Sequence, residues 1–300
     1  MTTDPDRPAH EVLPPETVGR SAASVSTTTA TGERSDDGGL ERLRHLRHDR
    51  NRGANAARNS GIEAARGEFV ALLDDDDRWA PEKIARQVER FREAGESVGV
   101  VYTGTRYVGP DGTEQLTERA RGYEDTTRAI LVGKRIGEFP TAMVRREVFD
   151  DAGLPDERFP NWQDREWYLR ASQHCRFEPV PEPLLIRGMG HGEQLNENFE
   201  AKRDVSYPLF VRKHRSLAAE YGPLVERRFV ASLSRALGMA AVSVGRYEEA
   251  RRYLLRAIRY YPAETVAYPY LLASLGGEYT YRLGQRAVEV LRTARTAIGR

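Results

Sequence analysis

Cysteine is nearly absent from this chain of 300 residues, with Cys175 the single example. That excludes an internal disulfide and a cysteine-based zinc site, and a reducing, cytoplasmic setting is the expectation. Long apolar runs are also missing, since no stretch reaches the ~18 residues of a membrane-spanning helix. Nor does charge of one sign dominate. Lys and Arg number 46 against 45 Asp and Glu, a formal net charge of +1, so no nucleic-acid partner is expected. The opening residues hold no apolar segment of the kind a secretory leader carries. Residues 1–34 are rich in Thr, Ser, Pro and Ala and lack a periodic apolar pattern, which predicts disorder.

What is present centres on Gly67 to Trp79, GEFVALLDDDDRW. Phe69 to Leu73 reads as a short strand buried on both faces. It runs into four carboxylates, Asp74 to Asp77, which repel one another unless a cation compensates them. Oxygen ligands of this kind suit Mg²⁺ or Mn²⁺. A solvated acidic turn is the plainer reading of such a run. The strand before it and Trp79 after it favour a site.

Further patterns flank that centre. Leu40, Leu43 and Leu46 suggest a short helix. Gly53 marks a turn, and Ala54, Ala57, Arg58, Gly61, Ile62 and Ala65 share one side of a helix that Gly67 would end. Pro81 to Ala94 is amphipathic, with Ile84, Val88 and Phe91 inward. Val98 to Thr103, Arg106 to Val108 and Phe139 to Arg145 read as strands, and Leu154 to Arg170 as a loop entering a helix. Phe177 to Ile186 holds three prolines, which predicts a strand at a sheet edge. Alternating strands and helices imply an α/β fold with a mainly parallel sheet. From Leu217 the pattern is helical, with helices expected at residues 226–244, Tyr247 to Tyr261 and Glu264 to Leu275. GRYEEARRYLLRAIRYYP is similar to one tetratricopeptide unit, too small to bury its own face.

The segment NRGANAARNSGIEAARGEFVALLDDDDRWAPEKI resembles the central signature of family 2 glycosyltransferases, which have the GT-A fold. The residues that carry this are Asn51-Arg52-Gly53, Ala57-Arg58-Asn59, Gly67, the aspartates and Trp79. Trp162-Gln163-Asp164 resembles the family's acidic motif before a helix, with Gln163 in place of its glutamate. The resemblance implies a GT-A domain over residues 35–215, followed by a tetratricopeptide-like helical region over 216–300. It implies a nucleotide-sugar donor, a glycan, lipid-linked or protein acceptor, and a divalent cation on Asp74 and Asp76, with Asp75 and Asp77 as alternative registers. Arg58, Asn59 and Asp74 would contact the donor. Asp164 would be the general base of an inverting transfer, or else the cap of its helix. Glu166 is a fallback base, Trp162 an acceptor contact or loop packing, and His191 a further contact or a solvated histidine.

Family members open with an apolar strand and a second strand ending in DDGS. Asp36-Asp37-Gly38 matches the end of that second motif, with no apolar strand before it. Were the codons of Ser26 to Thr31 to end in G, the same bases read two positions later would encode Asp-Asp-Asp-Gly-Asp. A mistranslated segment before Ser35 is therefore expected. Besides a hexosyltransferase, two other readings fit: an inactive remnant of one, and an interaction protein working through its C-terminal helices. A cytoplasmic protein, or one held at the inner face of the membrane, accords with all three.

Overall fold

The computed structural model describes residues 24–28, 43–188 and 198–276. His191 and residues 277–300 lie outside them. The chain forms two compact units, Met1–Gly67 and Glu68–Arg300.

In the first unit, β1 (Ser24–Thr28) pairs antiparallel with β2 (Leu43–Arg47), Ser24 opposite Arg47. Two expectations change here. Disorder does not extend over residues 24–28, where Val25, Thr27 and Thr28 are β-branched and favour extended backbone. The leucine spacing does not make a helix either. In β2, His45 and Arg47 are exposed while Leu46 between them is half-buried, the alternation of a strand. Helix α1 spans Ala54–Ala64. Gly53 enters it at φ 88°, a conformation glycine adopts without Cβ strain, and donates its N–H to Asn51 Oδ1 at 2.8 Å.

The second unit is built on a six-stranded sheet in the order β3-β7-β5-β8-β4, with β6 also on β5. The strands are β3 (Phe69–Ala71), β4 (Asp77–Trp79), β5 (Val98–Val108), β6 (Glu114–Glu118), β7 (Ala142–Arg145) and β8 (Arg176–Gly188). The sheet is mixed rather than mainly parallel. Only β5–β8 is parallel; β3–β7, β5–β7, β5–β6 and β4–β8 are antiparallel. The cause is connectivity, since β6 follows β5 through a tight turn, whereas helices intervene between β5 and β8.

The proline-rich strand β8 sits inside the sheet, not at its edge. Its prolines explain how. The β5 ladder passes from Thr103–Val180 directly to Gly104–Pro183, so Pro181 and Glu182 bulge out unpaired. On the other side, β4 pairs only with Leu185 to Arg187, beyond the last proline. Locally, each proline still faces an unpaired edge.

Helix α2 (Lys83–Ala94) lays Phe91 into a core with Val98, Val101, Met143, Val180 and Leu184. Fully burying such apolar side chains contributes about 1.5–3 kcal/mol each. The strand before the aspartates is shorter and wetter than its composition predicts, as Leu73 is 39% exposed.

Helices α3 (Thr126–Leu131), α4 (Glu147–Ala152) and α5 (Gln163–Ala171) connect the later strands. Then α7 (Tyr207–Glu220), α8 (Pro223–Ser243), α9 (Tyr247–Tyr260) and α10 (Ala267–Leu275) follow the short α6 (Phe199–Ala201) and one π-helical turn, Lys202–Ser206. A division at residues 215/216 would fall inside α7. Phe210 of that helix meets Phe159 at 6.0 Å, Trp162 at 6.1 Å and Phe229 of α8 at 6.0 Å between ring centroids. The later helices therefore pack against α5 and the loop that precedes it.

Candidate active site

After β3 the chain turns, and Asp77 donates its N–H to the Asp74 carbonyl at 3.2 Å. The turn gathers carboxylate oxygens of Asp74, Asp76 and Asp77 within 4.8 Å of one another. Asp75 is exposed and outside that group. Asp77 is the buried member, at 5% exposure, and no hydrogen bond reaches either of its carboxylate oxygens. Its nearest cation is Arg187 of β8, with Nε 3.9 Å from Oδ1. Burial pushes the Asp77 carboxyl up to about 7; Arg187 opposes this, and Asp76, Asp74 and Glu138 add to it. Three convergent carboxylates, one buried and lacking hydrogen-bond donors, form a donor set that fits a hard divalent cation.

The strand behind the aspartates is braced from the helix that follows. Trp79 donates its indole N–H to the Pro140 carbonyl at 2.9 Å. The Lys83 ammonium lies 4.3 Å above the Trp79 ring and donates to Gln87 Oε1 at 2.7 Å. Gln87 in turn donates to the carbonyls of Val101 and Thr141, at 2.7 and 2.9 Å. Lys83 and Gln87 are fully buried, and burial lowers the Lys83 ammonium to about 7. Sequence reasoning took Ile84, Val88 and Phe91 as the inward stripe and missed this pair. The readable signal is the spacing of Lys83, Gln87 and Phe91, four residues apart on one helix face.

Helix α5 carries the second group. Trp162, just before it, has φ 58° and is the one non-glycine residue with positive φ among the described residues. Such a backbone costs about 1–2 kcal/mol for a side chain of this size and persists only where packing holds it. Here the ring packs on Phe210. Asp164, half-buried in the first turn, accepts the N–H of Arg165 on Oδ1 at 2.7 Å. Gln163, where the family motif has glutamate, donates to the Phe159 carbonyl at 3.0 Å and fastens the preceding loop.

Glu166, the fallback base, is engaged by three cationic or donor side chains. It is fully buried, with Oε1 3.1 Å from Arg170 Nε, 2.7 Å from Lys213 Nζ and 3.2 Å from His214 Nε2. Burial raises its carboxyl, but these donors outweigh it and hold the group down at about 2. A carboxylate so engaged positions α5 against α7.

Residues 138–141 are held from both sides. The Tyr168 hydroxyl of α5 donates to the Glu138 carbonyl at 3.0 Å, while Trp79 and Gln87 hold Pro140 and Thr141. The acidic turn and the helix bearing Asp164 are thus fastened to one short segment. Arg58 and Asn59 lie on α1 of the first unit, Asn59 buried and Arg58 donating to Asn55 Oδ1 at 3.3 Å.

Comparison with known proteins bears on this arrangement. Residues 32–153 match the family model described as glycosyl transferase family 2. This segment belongs to glycosyltransferase family 2. It includes Arg58, Asn59 and the aspartates and ends before Asp164. An uncharacterized glycosyltransferase of Bacillus subtilis, YwdF, is 30% identical over 174 residues, 55% of this chain and 62% of that protein. One from Haemophilus influenzae is 28% identical over 142 residues, 46% of this chain and 48% of its own. The succinoglycan biosynthesis protein ExoO of Rhizobium meliloti is 48% identical over 59 residues, 20% of this chain and 17% of its own. The chain thus spans less than two thirds of the length of each of these relatives. Among the described residues no helix is long and apolar enough to cross a membrane.

Proposed function

We propose that the chain is an inverting glycosyltransferase that moves a sugar from a nucleotide diphosphate to an acceptor hydroxyl on a glycan, lipid-linked or protein substrate. The observation that carries this is the convergence of Asp74, Asp76 and Asp77, with both oxygens of buried Asp77 lacking hydrogen-bond donors. Those residues would hold Mg²⁺ or Mn²⁺, whose chemistry there is charge compensation of a departing diphosphate. Arg58 contacts the nucleotide and Asn59 helps to position it.

Asp164 takes the proton from the acceptor hydroxyl as that oxygen attacks the anomeric carbon. A single displacement inverts configuration and needs no covalent enzyme intermediate. Trp162, held in a strained backbone two residues before Asp164, shapes the acceptor side. Glu166, Arg170 and Lys213 keep the first turn of α5 in place, so that the base is presented rather than sought. The setting would be the cytoplasm or the inner membrane face.

A second reading has its own observation: Leu255, Leu272 and Leu275 of α9 and α10 are 54%, 65% and 64% exposed. Such a face would suit a protein partner. Thermal unfolding with sugar nucleotides, with and without Mn²⁺, separates the readings. Stabilisation that requires both supports the transferase; none under any combination leaves an inactive relative or an interaction protein.

A further inference from the structure

A cavity of about 340 Å³ opens between the β5–β6 hairpin and the segments 119–123 and 135–138. Its wall includes Thr103 to Thr105 of β5, Glu118, Arg119, Arg121, Arg135 and Glu138. Gly104 lies at the base of the hairpin, where the chain passes so close that a Cβ would strike the Glu118 carbonyl oxygen. The cavity adjoins the site through Glu138. That residue's carboxylate lies 4.0 Å from Arg187, the guanidinium facing Asp77, and its carbonyl accepts from Tyr168 of the helix that bears Asp164.

The charges around this cavity are unevenly matched. Glu118 and Glu138 are both engaged by Arg135, and Glu138 also faces Arg187. Arg119 and Arg121 are exposed, and among the described residues no carboxylate lies within ion-pair range of either. The backbone that presents them is fixed, because the buried Tyr102 donates its hydroxyl to the Arg121 carbonyl. With Arg119, Arg121 and Arg135 against Glu118 and Glu138, the lining carries an excess of positive charge, and two rim guanidiniums with no carboxylate partner among the described residues favour an anion over a neutral sugar.

We infer, on the transferase reading above, that this cavity receives the acceptor and that Arg119 and Arg121 select one carrying an anionic group, a phosphate or a carboxylate. The guanidinium planes can engage either group through two parallel N–H bonds. The acceptor hydroxyl then points toward Asp164 across the Glu138 segment.

The test uses the full chain and three probes: glucose 1-phosphate, glucuronate and neutral methyl glucoside, titrated calorimetrically in buffered 0.15 M salt. The anionic probes should bind at least about tenfold more tightly than methyl glucoside, and Arg119→Gln with Arg121→Gln should remove that advantage. The stronger of the two anionic probes tells phosphate from carboxylate recognition. Equal binding of the neutral probe, no measurable binding of any probe, or anionic binding undiminished in the double variant would overturn the inference. Uridine diphosphate with Mn²⁺ is titrated on the same samples and should bind the double variant as it binds the wild type. Nucleotide binding with no anion preference faults this inference alone; absence of nucleotide binding in the wild type faults the transferase reading instead.

Discussion

Replacing Glu166 with glutamine is the substitution whose cost follows most directly from the structure. The carboxylate is fully buried among Arg170, Lys213 and His214, and its partners keep about a fifth of their own surface, 19% for Arg170 and 23% for Lys213. A carboxyl held at about 2 instead of the usual 4.5 represents about 3 kcal/mol of preference for the charged form. Glutamine keeps the shape but leaves two cations facing an amide, and breaking a buried pair in this way costs about 3–5 kcal/mol. The sign with pH follows from linkage. Because the folded-state value lies below the unfolded one, the contribution is fully present above pH 4.5 and is lost as pH falls toward 2. Urea unfolding of wild type and Glu166→Gln, monitored by tryptophan fluorescence at several pH values, reads both features. The stability gap should be about 3 kcal/mol at pH 7 and close as pH drops below 4.5. A gap under about 1 kcal/mol at pH 7, or one that does not change with acid, would refute the reasoning.

Other substitutions probe the remaining parts. Asp164→Asn should leave nucleotide binding nearly intact and lower turnover by about 10²–10⁴; turnover equal to wild type in a product assay would move the base elsewhere. Gly104→Ala should destabilise the fold by about 1–3 kcal/mol, because the added methyl meets the Glu118 backbone and not a side chain that can swing away; an unchanged melting temperature would contradict that packing. Ending the chain at residue 216 should strip Phe229 and Ser232 from the face formed by Phe210 and Arg165 and yield aggregated protein; a soluble monomer of undiminished heat stability would show the helices to be independent.

How far the chain could be read before its structure differed from one element to the next. Helix α2 and the turn to Trp79 were legible because amphipathic spacing and proline and glycine boundaries are local signals. The aspartates were legible as a group, yet not which of them is buried, since that depends on Arg187 arriving from β8. Lys83 and Gln87 were hidden for a different reason: polar side chains count against burial until their partners are known, and two of those are carbonyls on β5 and on the 138–141 segment. The prolines of β8 misled because an edge can be local, created by a bulge on one side and a short partner strand on the other. The left-handed backbone at Trp162 had no local signal, as tryptophan is rarely found at positive φ. Glu166 and Asp164 lie two residues apart in the first turn of α5, and only the packing of α7 separates a held carboxylate from the one proposed as base.

The central claim is that Asp74, Asp76 and Asp77 together hold a cation on which donor binding depends. Calorimetric titration of the wild type and Asp76→Ala with a sugar nucleotide, each with and without Mn²⁺, tests it most directly. The account predicts binding by the wild type only when Mn²⁺ is present, and none by the variant in either condition. Equal affinity with and without the metal, or an Asp76→Ala protein that binds as the wild type does, would contradict it.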